Sequence, residues 1–127
     1  MNLNVRQENK YSIVTRIVYG KNSFLMTGDA QRETIEKIIK KGYNLQAQVL
    51  KEPHHGYQDV KEKDKLIAGR TSDHKLLIDH TKANIAVISN GYKNTGEVPM
   101  KNVLTDLSKM DIYETGNRGT IVITSDG

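Results

Sequence analysis

The sequence predicts an α/β domain, a mixed sheet with helices packed on one face. Three observations lead there. Alternating, β-branched runs recur along the chain, segments with helical spacing fall between them, and turn-forming residues separate the two kinds of segment. The order read from them, β-β-α-β-α-β-α-β-β, joins a hairpin to strand and helix alternation, which is the pattern of a layered α/β fold.

Tyr11 to Tyr19 alternates, with Ile13, Ile17 and Tyr19 on one parity, so it is read as a strand. Gly20-Lys21-Asn22 turns the chain, and Ser23 to Thr27 returns as the second strand of a hairpin. From Ala30 to Lys41 the residues Ile35, Ile38 and Ile39 fall on one helical face, with lysines late and Gly42 as the stop. Gln46 to Lys51 reads as a short buried strand that runs through Glu52-Pro53 into His54-His55-Gly56.

Tyr57 to Arg70 is charged and poorly periodic, a surface excursion. Asp73 to Thr81 reads as a helix, Asn84 to Ser89 as an apolar strand and Asn90 to Gly96 as a turn region. Pro99 suits a first helical position and opens a helix through Lys109. Asp111 to Glu114 and Thr120 to Thr124 are expected to close the fold as a strand pair around Gly116-Asn117-Arg118-Gly119.

The 127 residues make one domain at most, with no internal repeat. At 36% hydrophobic and 27% charged residues, the composition is that of a globular protein. No apolar run approaches the roughly 20 residues that cross a bilayer. The opening MNLNVRQENK lacks the apolar core of a signal peptide, so any export signal is expected upstream. Without cysteine, disulfides, thiolate zinc sites and cysteine nucleophiles are excluded. Any metal must be held by His, Asp or Glu. The net charge of +4 is compatible with a polyanionic partner, but the lysines are scattered and fit a solvated surface better than a nucleic-acid footprint.

Two places carry potential chemistry. Thr27-Gly28-Asp29-Ala30 puts a carboxylate where a strand stops and a helix begins. Taken alone, Asp29 suits a helix N-cap. Pro53-His54-His55-Gly56 puts two imidazoles at the next strand end, before a glycine that permits a sharp turn. Adjacent histidines in extended chain point to opposite faces, so one of them reaches a given ion. Consecutive strand ends of an α/β sheet line one rim, where Asp29 and one histidine can converge. His74 and His80, six apart on an expected helix, sit roughly 240° apart around its axis and cannot share an ion. Both are read as surface or half-buried residues.

The ordered set of TGDA after a strand, PHHG after the next, then VISNG and a terminal NRGTIVITSDG resembles the metallo-β-lactamase superfamily, and within it the domain of ComEC-type DNA-internalisation proteins. The likeness extends from about Asn9 to Gly127 and corresponds to the C-terminal half of that domain, so residues 1–127 are read as one partial domain, half of an αββα sandwich. The resemblance implies a metal-dependent hydrolase with two divalent ions, zinc or manganese. Asp29 would bridge them, His55 would ligate one, and His54 would contact the substrate or donate a proton to the leaving oxygen. The residues themselves leave the choice between the histidines open.

Two departures from that family stand out. Its HxHxDH signature, which belongs to the first half of the fold, is absent. Where close relatives show a Gly-His-Pro turn, this chain has Gly96-Glu97-Val98-Pro99. Asp29 and His55 are too few for even one zinc, which takes about four ligands, so a missing N-terminal half-domain is the expected partner. One sheet alone exposes an apolar face, so an isolated half is expected to dimerise, swap or aggregate. The resemblance tilts the substrate toward a phosphodiester such as DNA, and the location toward the outer side of the cytoplasmic membrane. A rival reading is a non-catalytic binding or assembly module on the same fold; a third is an ordinary α/β domain whose likeness is accidental.

Overall fold

The computed structural model describes residues 9–57, 74–91 and 98–127. After a short 3-10 turn at Asn9–Tyr11 come β1 (Thr15–Tyr19), β2 (Asn22–Met26), α1 (Arg32–Lys40) and β3 (Val49–Lys51). The turn Pro53–Gly56 follows, then α2 (Lys75–Thr81), β4 (Ile85–Ile88), α3 (Lys101–Asp106), β5 (Asp111–Glu114) and a single helical turn, α4 (Thr115–Arg118). The strands form one five-stranded sheet in the order β1-β2-β3-β4-β5. The hairpin pair β1–β2 is antiparallel and the remaining neighbours are parallel, so the sheet is mixed and the α/β class is as the sequence predicts.

Register explains where the core lies. Leu25, Leu50, Ala86 and Ile112 are paired in sequence across β2 to β5 and therefore share one face. Against that row pack Ile35 of α1, Leu77 and Ile78 of α2, and Val103 and Leu107 at α3. Right-handed crossovers in a sheet whose strands advance in one direction deliver each helix to the same side. Leu50, with no exposed surface, is central to this layer. Leu50→Ala is expected to cost about 2–5 kcal/mol, read as a lower urea midpoint at unchanged slope.

The alternate row, Ile17, Phe24, Val49 and Ile85, faces away from these helices. There Ile17, Tyr19 and Met26, on the edge strand β1 and beside it, are 48%, 58% and 45% exposed, whereas Val49, further into the same row, is buried. Among the described residues, no helix is long and apolar enough to cross a membrane.

Local expectations hold best where a stop signal is present. α1 ends at Lys40, and Gly42 takes a φ of 74° while its amide bonds to the Ile39 carbonyl. Other boundaries move for tertiary reasons. The third strand shrinks to Val49–Lys51 because the preceding residues bond elsewhere, the Ala47 amide to the Thr81 carbonyl and the Gln48 carboxamide to Ser23. The third helix begins at Lys101 rather than Pro99, since the Met100 amide, still extended, is taken by the Gly56 carbonyl.

The expected closing strand pair does not form. β5 pairs in parallel with β4, and Thr115–Arg118 is helical. Thr115 and Gly116 are drawn to the end of β4, where the Thr115 hydroxyl donates to the Asn90 carbonyl and the Gly116 amide to the Asn90 side chain. Residues 119–127 join no strand, and the Ser125 hydroxyl and Gly127 carbonyl bond instead at the β1–β2 turn. The excursion expected after Tyr57, most of the turn region after Asn90, and Glu97 lie outside the described residues.

Candidate functional site

The carboxyl ends of β2, β3, β4 and β5 lie side by side, and each passes directly into a polar segment. From β2 comes the turn Thr27-Gly28-Asp29, from β3 the turn Pro53–Gly56, from β4 Ser89-Asn90-Gly91, and from β5 Thr115. Open α/β sheets place ligands in the crevice at this end of their strands.

Asp29 is not the helix cap that its position suggests. The N-cap of α1 is Gln31, which makes no side-chain cap bond, and Asp29 sits in the turn before it. That turn is closed by the Ala30 amide on the Thr27 carbonyl. It is tied to β3 by the Thr27 hydroxyl, which donates to the Lys51 carbonyl. The Asp29 carboxylate is thereby released toward the histidine turn: its Oδ1 lies 3.5 Å from His55 Nε2.

The histidine pair is not in extended chain, so the pleat argument does not govern it. His54 (φ 49°, ψ 40°) and His55 (φ 58°, ψ 20°) are both left-handed, and Gly56 continues at φ 75°. For residues with a Cβ this conformation costs about 1–2 kcal/mol each, and such strain gathers at functional turns. The turn is pinned on three sides. The His54 amide bonds to the Gly28 carbonyl at 3.0 Å, the Tyr57 amide closes back on the His54 carbonyl, and the Gly56 carbonyl accepts from Met100. Gly56 is required on steric grounds as well, since a Cβ there would lie 2.6 Å from Pro99 Cβ.

His55 is oriented by Ser89, whose carbonyl lies 2.7 Å from Nδ1. A carbonyl only accepts, so Nδ1 carries the proton, and a neutral His55 turns the lone pair of Nε2 toward Asp29. Two facing lone pairs at this distance are able to share a cation. Two ligands of one tetrahedral zinc, each about 2.0–2.1 Å from the ion, lie about 3.3–3.4 Å apart, close to the 3.5 Å between Asp29 and His55. An imidazole whose second nitrogen bonds to a backbone carbonyl is also the usual metal-ligand arrangement. With the ring protonated, the same geometry is an exposed ion pair.

His54 stands 6.2 Å from His55 between ring centroids, edge-on to Tyr57 at 5.3 Å, and its Nε2 is 3.3 Å from the Asn9 carboxamide. Both histidines border a cleft of about 450 Å³ with Tyr57, Ser89, Asn90 and Thr115 on its walls. Asn90 locks the far wall, donating through Nδ2 to Glu114 while its backbone amide bonds to the Thr115 hydroxyl. Among the described residues, no group of three or more His, Asp or Glu side chains is gathered to hold a metal. Asp29 and His55 supply two donors.

Sequence reading misplaced one histidine. His80 is exposed as expected, but His74, read as surface or half-buried, is 1% exposed. The reason is Glu52, itself fully buried, whose carboxylate receives His74 Nδ1 at 2.5 Å. The signal available in the sequence was a carboxylate at the end of an apolar strand, directly before Pro53-His54-His55.

Lys51 lies between these groups. Its ammonium donates to the Glu52 carbonyl at 2.9 Å. Partial burial holds its pKa below the ordinary lysine value, against the opposing pull of Glu52 and Asp29. A lysine with a lowered folded-state pKa binds fewer protons folded than unfolded, so stability rises with pH between the two values. Thermal unfolding between pH 8 and 11 is expected to show a positive contribution from Lys51 that Lys51→Met removes.

No family model and no solved structure matches the chain. Over 121 residues, 95% of its length, the chain is 30% identical to Recombination protein 2 of Haemophilus influenzae, and it spans only 13% of that protein.

Proposed function

We propose that this chain is the C-terminal half of a metallo-β-lactamase-type domain that hydrolyses a phosphodiester, such as DNA, once an N-terminal half carrying HxHxDH completes the metal shell. The observation that carries the reading is the 3.5 Å approach of Asp29 Oδ1 to His55 Nε2 with Ser89 fixing the other ring nitrogen. Asp29 and His55 would hold divalent zinc or manganese, which supplies Lewis acidity and a water nucleophile near neutral pH. His54, on the wall of the adjoining cleft, would act as hydrogen-bond or proton donor to the leaving oxygen. The similarity to a recombination protein supports a nucleic-acid substrate, and the net charge of +4 is compatible with one.

The test compares this chain with an N-terminally extended form that includes HxHxDH. Zinc and manganese content and turnover of a generic phosphodiester are measured for both. Metal-dependent turnover confined to the extended form is the expected result. Metal binding without turnover in the extended form would leave the binding or assembly module as the better account, and absence of metal from both would end the reading.

A further inference from the structure

We propose that Glu52 is a positioning residue: its buried contact with His74 fixes the end of β3 from which the His54–His55 turn leaves, and thereby sets the approach of His55 to Asp29. The inference rests on the reading that Asp29 and His55 hold a divalent ion.

Glu52 is 0% and His74 1% exposed, whereas the groups they underlie reach solvent. A buried charge pair is a poor source of net stability, because desolvation consumes most of its attraction. What such a pair supplies is a fixed geometry. The turn needs one, since two consecutive non-glycine residues are left-handed there. Its later anchors are the His54 amide on Gly28, the Tyr57 amide on His54, and the Gly56 carbonyl under Met100. Before the turn, Pro53 has no amide proton to give, and the anchor is Glu52, held by its own amide on the Val87 carbonyl and by its side chain on His74.

His74 in turn is the N-cap of α2, with its carbonyl bonded to the Ile78 amide, so the contact ties the turn to a helix seated in the core. The second carboxylate oxygen of Glu52 is buried with no hydrogen-bond partner among the described residues. Among them, His74 is therefore the hydrogen-bond partner that orients the carboxylate. An altered Glu52 would let the strand end rotate, and the ring of His55, three residues on, would move relative to Asp29.

The experiment uses the N-terminally extended form that carries HxHxDH, because Asp29 and His55 alone are too few to hold an ion, with Zn²⁺ alone as the probe. Zinc affinity is measured by titration calorimetry, and exchange protection of the His54 amide by NMR, for wild type, Glu52→Gln, and the double replacement Glu52→Leu with His74→Leu. The double variant removes both buried polar groups together and keeps the core filled, so it folds where a single truncation fails. Expected for it are a near-native Tm, zinc affinity lower by about tenfold, and loss of His54 protection. Glu52→Gln, which keeps an oxygen to accept from His74, should restore both. Native affinity and native protection in the double variant would overturn the proposal. Asp29→Asn separates the two ideas, since it should abolish zinc binding with His54 protection intact. If instead Asp29→Asn binds zinc like wild type, the metal reading fails, and the amide protection of the double variant decides the positioning role.

Discussion

Asp29→Asn is expected to abolish metal-dependent turnover in the N-terminally extended form, by about a hundredfold or more, the scale on which loss of one preorganised electrostatic group acts. The substitution is nearly isosteric, so the turn that carries it should survive. That turn is built from backbone and Thr27 contacts, the Ala30 amide on Thr27 and the Thr27 hydroxyl on Lys51, none of which uses the Asp29 carboxylate. What changes is charge and ligand strength at a point 3.5 Å from His55 Nε2. Because Asp29 is not an N-cap, the helix α1 loses nothing, and Tm should stay close to wild type. Activity and metal content assayed beside thermal unfolding check this. Unchanged turnover would rule out a metal role for Asp29, and a large fall in Tm would return the residue to a structural one.

Glu52→Ala is expected to be the most destabilising change near the rim, about 3–5 kcal/mol, because it leaves His74 buried without its partner. That is a large share of the roughly 5–15 kcal/mol that holds a domain together. Urea unfolding should show a marked drop in midpoint. Replacing Glu52 and His74 together by leucine should recover most of the loss, since no polar group is then stranded in the core. A Glu52→Ala variant as stable as wild type would mean that the pair is relieved by water or by rearrangement of α2, and the buried contact would lose its importance.

Some of this molecule is legible without coordinates. The hairpin, the helix with its three isoleucines on one side and Gly42 at its end, and the mixed α/β order all follow from local periodicity and turn chemistry, which each segment carries within itself. So does the expectation that Asp29 and the histidine pair share a rim, because it needs only the order of strands and the rule that their carboxyl ends face one way. The tail was misread because the β-branched run Thr120 to Thr124 carries strand propensity, while the bonds of Thr115 and Gly116 to Asn90 decide where the chain goes.

The rest depended on neighbours far apart in sequence. Nothing local tells that Asp29 forgoes the helix cap, that His54 and His55 leave extended chain for a left-handed turn, or that Ser89 takes one nitrogen of His55. Nor can spacing show that His74, 22 residues from Glu52, is buried against it. Residue type and periodicity fix which segments form and which groups are capable of chemistry. Which of those groups meet, and in what protonation and orientation, is set by long-range hydrogen bonds and burial that exist only after the sheet has assembled.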